Sequence, residues 1–309
     1  MSNLPKIIAI IGPTASGKTD LGIFLAKKFN GEILNFDSRQ IYQEMNIGTA
    51  KPVGEWEEYV GGKVYMVEGV PHHLMDFVAP DREYSLSNFK DDAMRVIGEI
   101  LSRGKLPILV GGTGLYFWGV LENLNLTETQ PDLELRKQLE SKSLDDLVDL
   151  LREKDPESAE VIDLKNPRRV LRALEVVLST GESFVARQGK NESLYNSLQI
   201  GLSWPREILN ERIDRRVDVQ LQDGLLDETR KLAEKYSWDL PSMSGIGYRQ
   251  MGYFLRGEMS LDEATEVLKR DTRHYAKRQM TWFKRDHDII WLEGPDKNRA
   301  EELVRNFLG

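Results

Sequence analysis

Residues 6–19 read Lys-Ile-Ile-Ala-Ile-Ile-Gly-Pro-Thr-Ala-Ser-Gly-Lys-Thr, an apolar strand running into Gly12, Gly17, Lys18 and Thr19 at the spacing G-x-x-x-x-G-K-[ST]. Glycines let the backbone curl so that successive N–H groups point inward, the next helix begins with its positive dipole end there, and Lys18 adds a full charge. Thr19 is placed to ligate Mg²⁺. Leu21, Phe24, Leu25 and Phe29 then recur at helical spacing, which supplies the strand, loop and helix that a phosphate-binding loop requires. Such a loop reads phosphates and leaves open the molecule that carries them.

The 309 residues are 40% hydrophobic and 30% charged, enough for one large domain and a smaller one. No apolar run reaches membrane-spanning length, and a strand beginning at Lys6 leaves no room for a signal peptide. The expectation is therefore a cytoplasmic monomer that makes no use of a membrane. Cysteine is absent, which excludes disulfides, thiolate zinc sites and cysteine nucleophiles together. Any metal must sit on oxygen or histidine ligands. The net charge of −8 argues against a polyanionic partner, but binding follows the distribution of charge, and here that is uneven.

The first 120 residues alternate short apolar runs with helical stretches, the pattern of a mostly parallel sheet flanked by helices. Strands are expected at Ile7–Ile11, Glu32–Phe36 and Pro107–Gly111, with a weaker one at His73–Phe77. Residues 122–195 carry Leu, Glu, Arg and Lys at helical spacing, broken at Pro131, Pro156, Pro167 and Gly181. Strand patterns return at Leu198–Trp204 and Asp288–Leu292. The expected fold is α/β: a P-loop NTPase-like core from residues 1–121 and 196–309, with an all-helical insertion domain at 122–195.

In open α/β sheets ligands bind at the carboxyl ends of the strands, so Asp37, which closes Ile33–Phe36, should face the phosphate site. Turn formation is the alternative for an Asp-Ser pair at this point. Arg39, Gln40, Ile41 and Tyr42, then Gly48-Thr49-Ala50-Lys51-Pro52, are dense enough in polar groups for a binding rim. Leu106–Val110 runs into Gly111-Gly112-Thr113-Gly114, where a kinase often places an acidic metal ligand. A second phosphate contact or a plain tight turn both fit. Two segments are basic: Arg168, Arg169 and Arg172 on a helix opened by Pro167, and residues 269–285, where Lys277 and Arg278 lie among Tyr275, Trp282 and Phe283. Two such segments in an acidic chain favour contact with a nucleic-acid backbone over solvated helix faces.

Gly12–Thr19, Asp-Ser-Arg-Gln-Ile-Tyr at 37–42, Gly-Thr-Ala-Lys-Pro at 48–52, Val-Gly-Gly-Thr-Gly-Leu-Tyr-Phe at 110–117, Asn-Pro-Arg-Arg-Val-Leu-Arg at 166–172 and Gly-Tyr-Arg-Gln at 247–250 resemble, in order, the motifs of the tRNA dimethylallyltransferase family. The resemblance spans nearly the whole chain and has the bacterial form, because no cysteine is present for a zinc finger. It implies Mg²⁺-dependent transfer of the dimethylallyl group from dimethylallyl diphosphate to N6 of the adenosine 3′ of the anticodon in tRNA, with release of diphosphate. It further implies that Gly12, Pro13, Thr14, Ala15, Ser16, Gly17, Lys18 and Thr19 hold the diphosphate and Thr19 the metal, and that Asp37 is the general base. Thr113 would reach the diphosphate or target nucleotide, and Arg212 or Arg215 the diphosphate. The tRNA anticodon stem-loop would meet Asp37, Ser38, Arg39 and Gln40, Thr113, Arg136, Arg168, Arg169, Val170, Leu171 and Arg172, Ser244, Gly245, Ile246, Gly247, Tyr248 and Arg249, and Lys277 and Arg278. Prenylation of free adenine nucleotides, as in cytokinin synthesis, a small-molecule P-loop kinase and a non-catalytic RNA-binding switch remain open alternatives.

Overall fold

Every residue of β1 (Lys6–Ile11) after the first is buried, as expected of a strand with helices on both faces. In the computed structural model, which describes residues 4–125, 132–187, 189 and 191–309, β1 lies inside one sheet. The other strands are β2 (Gly31–Phe36), β3 (Glu55–Tyr59), β4 (Gly62–Val67), β5 (Val70–His73), β6 (Leu106–Gly111), β7 (Asn196–Ser203) and β8 (Ile290–Glu293). Their order is β3-β4-β5-β2-β6-β1-β7-β8. All pairings are parallel except those of the β3–β4 and β4–β5 hairpins. Ile10 stands beside Val110 on one side and Ile200 on the other. This α/β architecture agrees with the expected P-loop core.

One strand expectation needs correcting, and one hairpin is unexpected. The weak strand at His73–Phe77 lies earlier, at Val70–His73, because Leu74 and Asp76 adopt positive φ and end it. The β3–β4 hairpin has no counterpart in the sequence expectations. Glu-Trp-Glu-Glu-Tyr in β3 is almost wholly exposed, so it carries no alternating apolar face, and its acids suit an unpaired sheet edge.

The chain forms two compact units, one of residues 1–117 and 194–309 and one of Trp118–Ser193. In the first, helices α1 (Lys18–Lys28), α2 (Leu86–Ser102) and the start of α3 (Gly114–Leu121) follow β1, β5 and β6. The second holds α4 (Leu133–Glu140), α5 (Leu144–Lys154), α6 (Pro156–Val161), α7 (Pro167–Thr180) and α8 (Phe184–Arg187). Pro156 and Pro167 each open a helix, and Gly181 ends α7 at φ 73°, as the sequence breaks imply. The break at Pro131 lies outside the described residues. Leu139, Leu151, Val170, Leu174 and Val177 form this unit's own core. After β7 the first unit continues with α9 (Arg206–Gln222), α10 (Leu225–Lys235), α11 (Tyr248–Leu255), α12 (Leu261–Phe283) and, after β8, α13 (Lys297–Leu308). No helix among the described residues is long and apolar enough to cross a membrane.

Candidate active site

The loops after β1, β2, β6 and β7 all leave the carboxyl edge of the sheet, the edge where ligands bind in folds of this kind. After β1, Gly12 has φ 145°, and a Cβ there would stand 2.6 Å from the Leu202 carbonyl oxygen. Gly17, at φ 98°, caps α1 without a side-chain hydrogen bond, so the first-turn N–H groups face outward with the helix dipole behind them. The loop's carbonyls are tied down from outside. Trp204 Nε1 donates to Ser16 O at 3.1 Å, and Arg212 Nε donates to Ala15 O at 2.8 Å while stacking on the Trp204 ring at 4.9 Å. Lys18 Nζ donates to Pro13 O at 2.6 Å. Burial lowers the Lys18 pKa to about 7, the Asp37 charge opposing and the Arg216 charge adding to the shift. Ser16 Oγ is fully buried with no partner among the described residues.

Asp37 sits one residue beyond β2, where Asn35 grips it: Asn35 Oδ1 accepts the Asp37 N–H at 3.2 Å and Asn35 Nδ2 donates to Asp37 O at 3.3 Å. Asp37 Oδ1 accepts the Arg39 N–H at 2.8 Å. The carboxylate thus does form the local turn, and it keeps Oδ2 without a hydrogen bond among the described residues. Beyond β6, Thr113 N–H donates to Phe36 O at 3.1 Å, and its hydroxyl accepts the Ser38 N–H at 3.0 Å and donates to Ser38 Oγ at 3.2 Å. That locks the β2 and β6 loops together. Tyr116 and Tyr275 are pushed above the usual tyrosine range chiefly by burial, with the negative charge of Asp37 adding to the shift of both. Lys18, Asp37, Thr113 and these two phenols therefore gather at one edge of one unit.

The IPP transferase family model matches residues 40–286, and the isopentenyl transferase model matches residues 5–70. The tRNA dimethylallyltransferase of Acetivibrio thermocellus is 45% identical over 98% of this chain and 96% of its own length. The chain belongs to the tRNA dimethylallyltransferase family. A solved tRNA isopentenylpyrophosphate transferase from Bacillus halodurans is 41% identical, with a TM-score of 0.72 over 98% of this chain and 95% of its own. A eukaryotic dimethylallyltransferase, solved acting on tRNA, superposes at a TM-score of 0.83 with 31% identity, over 98% of this chain and 79% of its own.

Against that family membership, several residues expected at the diphosphate or the tRNA take other positions. On α9 it is Arg216, not Arg215, that joins Arg212 at the loop: Arg216 Nη1 donates to Thr14 Oγ1 at 3.4 Å, one helical turn from Arg212. Arg215 is exposed and makes no hydrogen bond or ion pair among the described residues. The Thr14 N–H is already taken by Gln279 Oε1 at 2.9 Å. Tyr248 is 1% exposed, its hydroxyl donating to Glu228 Oε1 at 2.7 Å. It is a core residue, and its side chain is not presented at the surface. Gly245 and Gly247 are buried, Ile246 packs on the same core, and Ser244 Oγ donates to Pro241 O at 2.6 Å. Of that stretch Arg249 is exposed, 3.0 Å from Asp271.

The polar segments after Asp37 divide in the same way. Gln40 Nε2 donates to the carbonyls of Thr49 and Ala50 at 3.2 and 3.1 Å, and Arg39 Nη1 donates to Pro241 O at 2.7 Å. Lys51, expected on a binding rim, is 7% exposed and donates to Tyr42 O at 2.6 Å, to Asn46 Oδ1 at 2.9 Å and to Asp76. It holds the loop from within. In the helical unit Val170 is fully buried, and half-buried Leu171 packs on that unit's core. Arg172 and Arg136 lie 3.3 and 3.5 Å from the buried Glu175 carboxylate, and Arg136 also meets Glu140 at 3.1 Å. Arg168 and Arg169 are exposed. On α12, Lys269 pairs with Asp218 at 2.7 Å and Arg273 with Asp214 at 2.6 Å. Lys277 and Arg278 are exposed on that helix, and Arg278 lies over the Tyr275 ring at 5.8 Å.

Proposed function

We propose that the chain is a cytoplasmic tRNA dimethylallyltransferase that moves the dimethylallyl group from dimethylallyl diphosphate to N6 of the adenosine 3′ of the anticodon. The observation that carries this is the pairing, at one sheet edge, of an anion-binding loop with a carboxylate, Asp37, close enough to oppose the depressed pKa of Lys18. A diphosphate leaving as a unit needs cradling and charge neutralisation, which the α1 N-terminus, Lys18 and the Arg212–Arg216 pair supply. An exocyclic adenine amine is a weak nucleophile, its lone pair delocalised into the ring. Asp37 Oδ2 accepts its proton as the C–N bond forms and the allylic C–O bond breaks, the electron pair leaving with the diphosphate. Oδ1 is held by the Arg39 N–H, so the second oxygen is aimed rather than free to rotate.

Mg²⁺ fits the donors present. The Thr19 hydroxyl, in the first turn of α1, is a hard oxygen ligand beside the diphosphate cradle, and Mg²⁺ is commonly held by one or two protein oxygens together with substrate phosphates and water. When bound it supplies charge neutralisation to the diphosphate. The target adenosine must leave its stack to reach this edge, at a cost of a few kcal/mol, roughly, that phosphate contacts must offset. Exposed Arg168, Arg169, Lys277 and Arg278 are cations suited to that, acting by charge on the phosphate backbone.

Incubation with dimethylallyl diphosphate and total tRNA, followed by nucleoside mass spectrometry, should give N6-dimethylallyladenosine. Product on free adenine nucleotides but none on tRNA would overturn the assignment in favour of a cytokinin-type acceptor. Transfer of the ATP γ-phosphate to a small molecule would replace it with a kinase.

A further inference from the structure

Gln279, on α12, is 6% exposed and spends both ends of its amide on the two loops that frame the site. Its Oε1 accepts the Thr14 N–H at 2.9 Å, and its Nε2 donates to Gly112 O at 2.8 Å. Gly112 admits the side chain only because it lacks a Cβ, which would collide with Nε2. Tyr275 lies one turn earlier on the same helix, near enough to Asp37 for that charge to raise its pKa. One face of α12 therefore clasps the ends of β1 and β6, while Lys277 and Arg278 on the same helix stay exposed.

We propose that Gln279 is a positioning residue for the diphosphate: it fixes the phosphate loop against the 111–114 turn and so sets where the leaving group sits. The inference rests on the phosphate-loop reading above. An amide is the group suited to this place because one end must accept and the other donate. The Gln279 side chain is nearly sealed from solvent, and Gly112 is buried with it. Losing it orphans a backbone donor and a backbone acceptor at once, and the loop must shift to satisfy them.

Two variants of the full-length protein test the assignment, compared with Lys18→Ala and the parent in steady-state kinetics and thermal unfolding. Gln279→Met, of similar volume, should raise KM for dimethylallyl diphosphate by roughly tenfold to a hundredfold while leaving KM for tRNA within about threefold. Gln279→Glu removes the donor at neutral pH, yet a protonated carboxyl restores one acceptor and one donor. Burial raises a carboxyl pKa, so the KM of Gln279→Glu relative to the parent should fall as pH drops from about 8 to about 6. Lys18, Arg212, Arg216, Asp37, Tyr116 and Tyr275, the charged and titratable groups named above around the two loops, are common to both proteins and cancel in that ratio. A structural role alone would lower the melting temperature or the active fraction and leave KM in place. If both Gln279 variants keep the parental KM while Lys18→Ala raises it, the positioning role is overturned and the phosphate-loop reading stands. If Lys18→Ala also keeps it, both are overturned.

Discussion

The Lys18 ammonium donates to the carbonyl oxygen of Pro13, five residues earlier in its own loop, at 2.6 Å. That lysine is held at a pKa of about 7 by burial, against the pull of Asp37. A diphosphate would supply negative charge in place of the carbonyl and raise this pKa, so binding above pH 7 should draw in a proton. Affinity for dimethylallyl diphosphate should fall by up to about tenfold per pH unit above that point. Calorimetry in buffers of different ionisation enthalpy reads the proton directly. Proton uptake near zero at pH 8 would contradict the shift. The same lysine also shapes stability. Its folded pKa lies below its ordinary 10.5, so between about pH 7 and 10.5 the unfolded chain binds more protons and stability rises with pH. Lys18→Met should flatten that rise.

Asp37→Asn removes the proton acceptor but keeps the hydrogen-bond geometry with Arg39 N–H through its remaining carbonyl oxygen. Turnover should drop by on the order of 10²- to 10⁴-fold, with dimethylallyl diphosphate affinity and folding preserved. Turnover within a few-fold of the parent would leave Asp37 as a turn residue.

Arg216 and Arg215 are neighbours in sequence with opposite expected phenotypes. Arg216→Ala should weaken binding of inorganic diphosphate by roughly tenfold or more, since a charge-assisted contact is at stake. Arg215→Ala should leave it unchanged. Titration calorimetry on both proteins decides the register of α9, and the reverse ranking would restore the expectation drawn from sequence.

Arg168 and Arg169 are exposed on α7 and, unlike Arg172, are not committed to Glu175. Replacing both with Ala should weaken binding of an anticodon stem-loop and reduce the slope of log affinity against log salt by roughly one to two units. Affinity for dimethylallyl diphosphate should be unaffected. An unchanged slope would reduce these arginines to a solvated helix face.

Glu32, in β2, is sealed from water and accepts hydrogen bonds from Arg103 at 2.7 Å and Tyr59 at 2.7 Å, with His73 Nε2 also 2.7 Å away. Burial alone would raise its pKa, but these partners outweigh it and bring the value to about 2, below the ordinary 4.5. The stabilisation is therefore present above about pH 4.5 and lost as pH falls toward 2. Glu32→Gln should cost about 2–3 kcal/mol at neutral pH in denaturant unfolding, a penalty that shrinks below pH 4.5. A constant penalty across that window would contradict the shift.

How much of this was legible beforehand depended on whether a residue's role is local. The phosphate loop could be read because its chemistry lies in eight consecutive residues, and the buried parallel strands because they are unbroken apolar runs. Facing is a tertiary property, and there the sequence misleads. Tyr248 and Lys51 sit among polar motif residues, yet one is core and the other an internal tie. Arg215 and Arg216 differ only in helical phase. Gln279 belongs to a basic stretch whose charges draw attention away from an uncharged amide, and its two partners, Thr14 and Gly112, lie 265 and 167 residues away. The β3–β4 hairpin, nearly all exposed in its first strand, offered no apolar alternation to find.

The placement of β1 between β6 and β7 also bears on how the chain is made. Lys6 pairs with Asn196, and Ile11 with Gly201, so the strand that launches the phosphate loop leaves the ribosome some 190 residues before one of its neighbours exists. At about 5–20 residues per second this interval is roughly 10–40 s. During it Ile7 to Ile11 present an open apolar edge, the kind of surface that chaperones cover. The helical unit, built from contacts close in sequence, is completed first. The phosphate loop that follows β1 is thus made long before β7 arrives to complete the sheet around it.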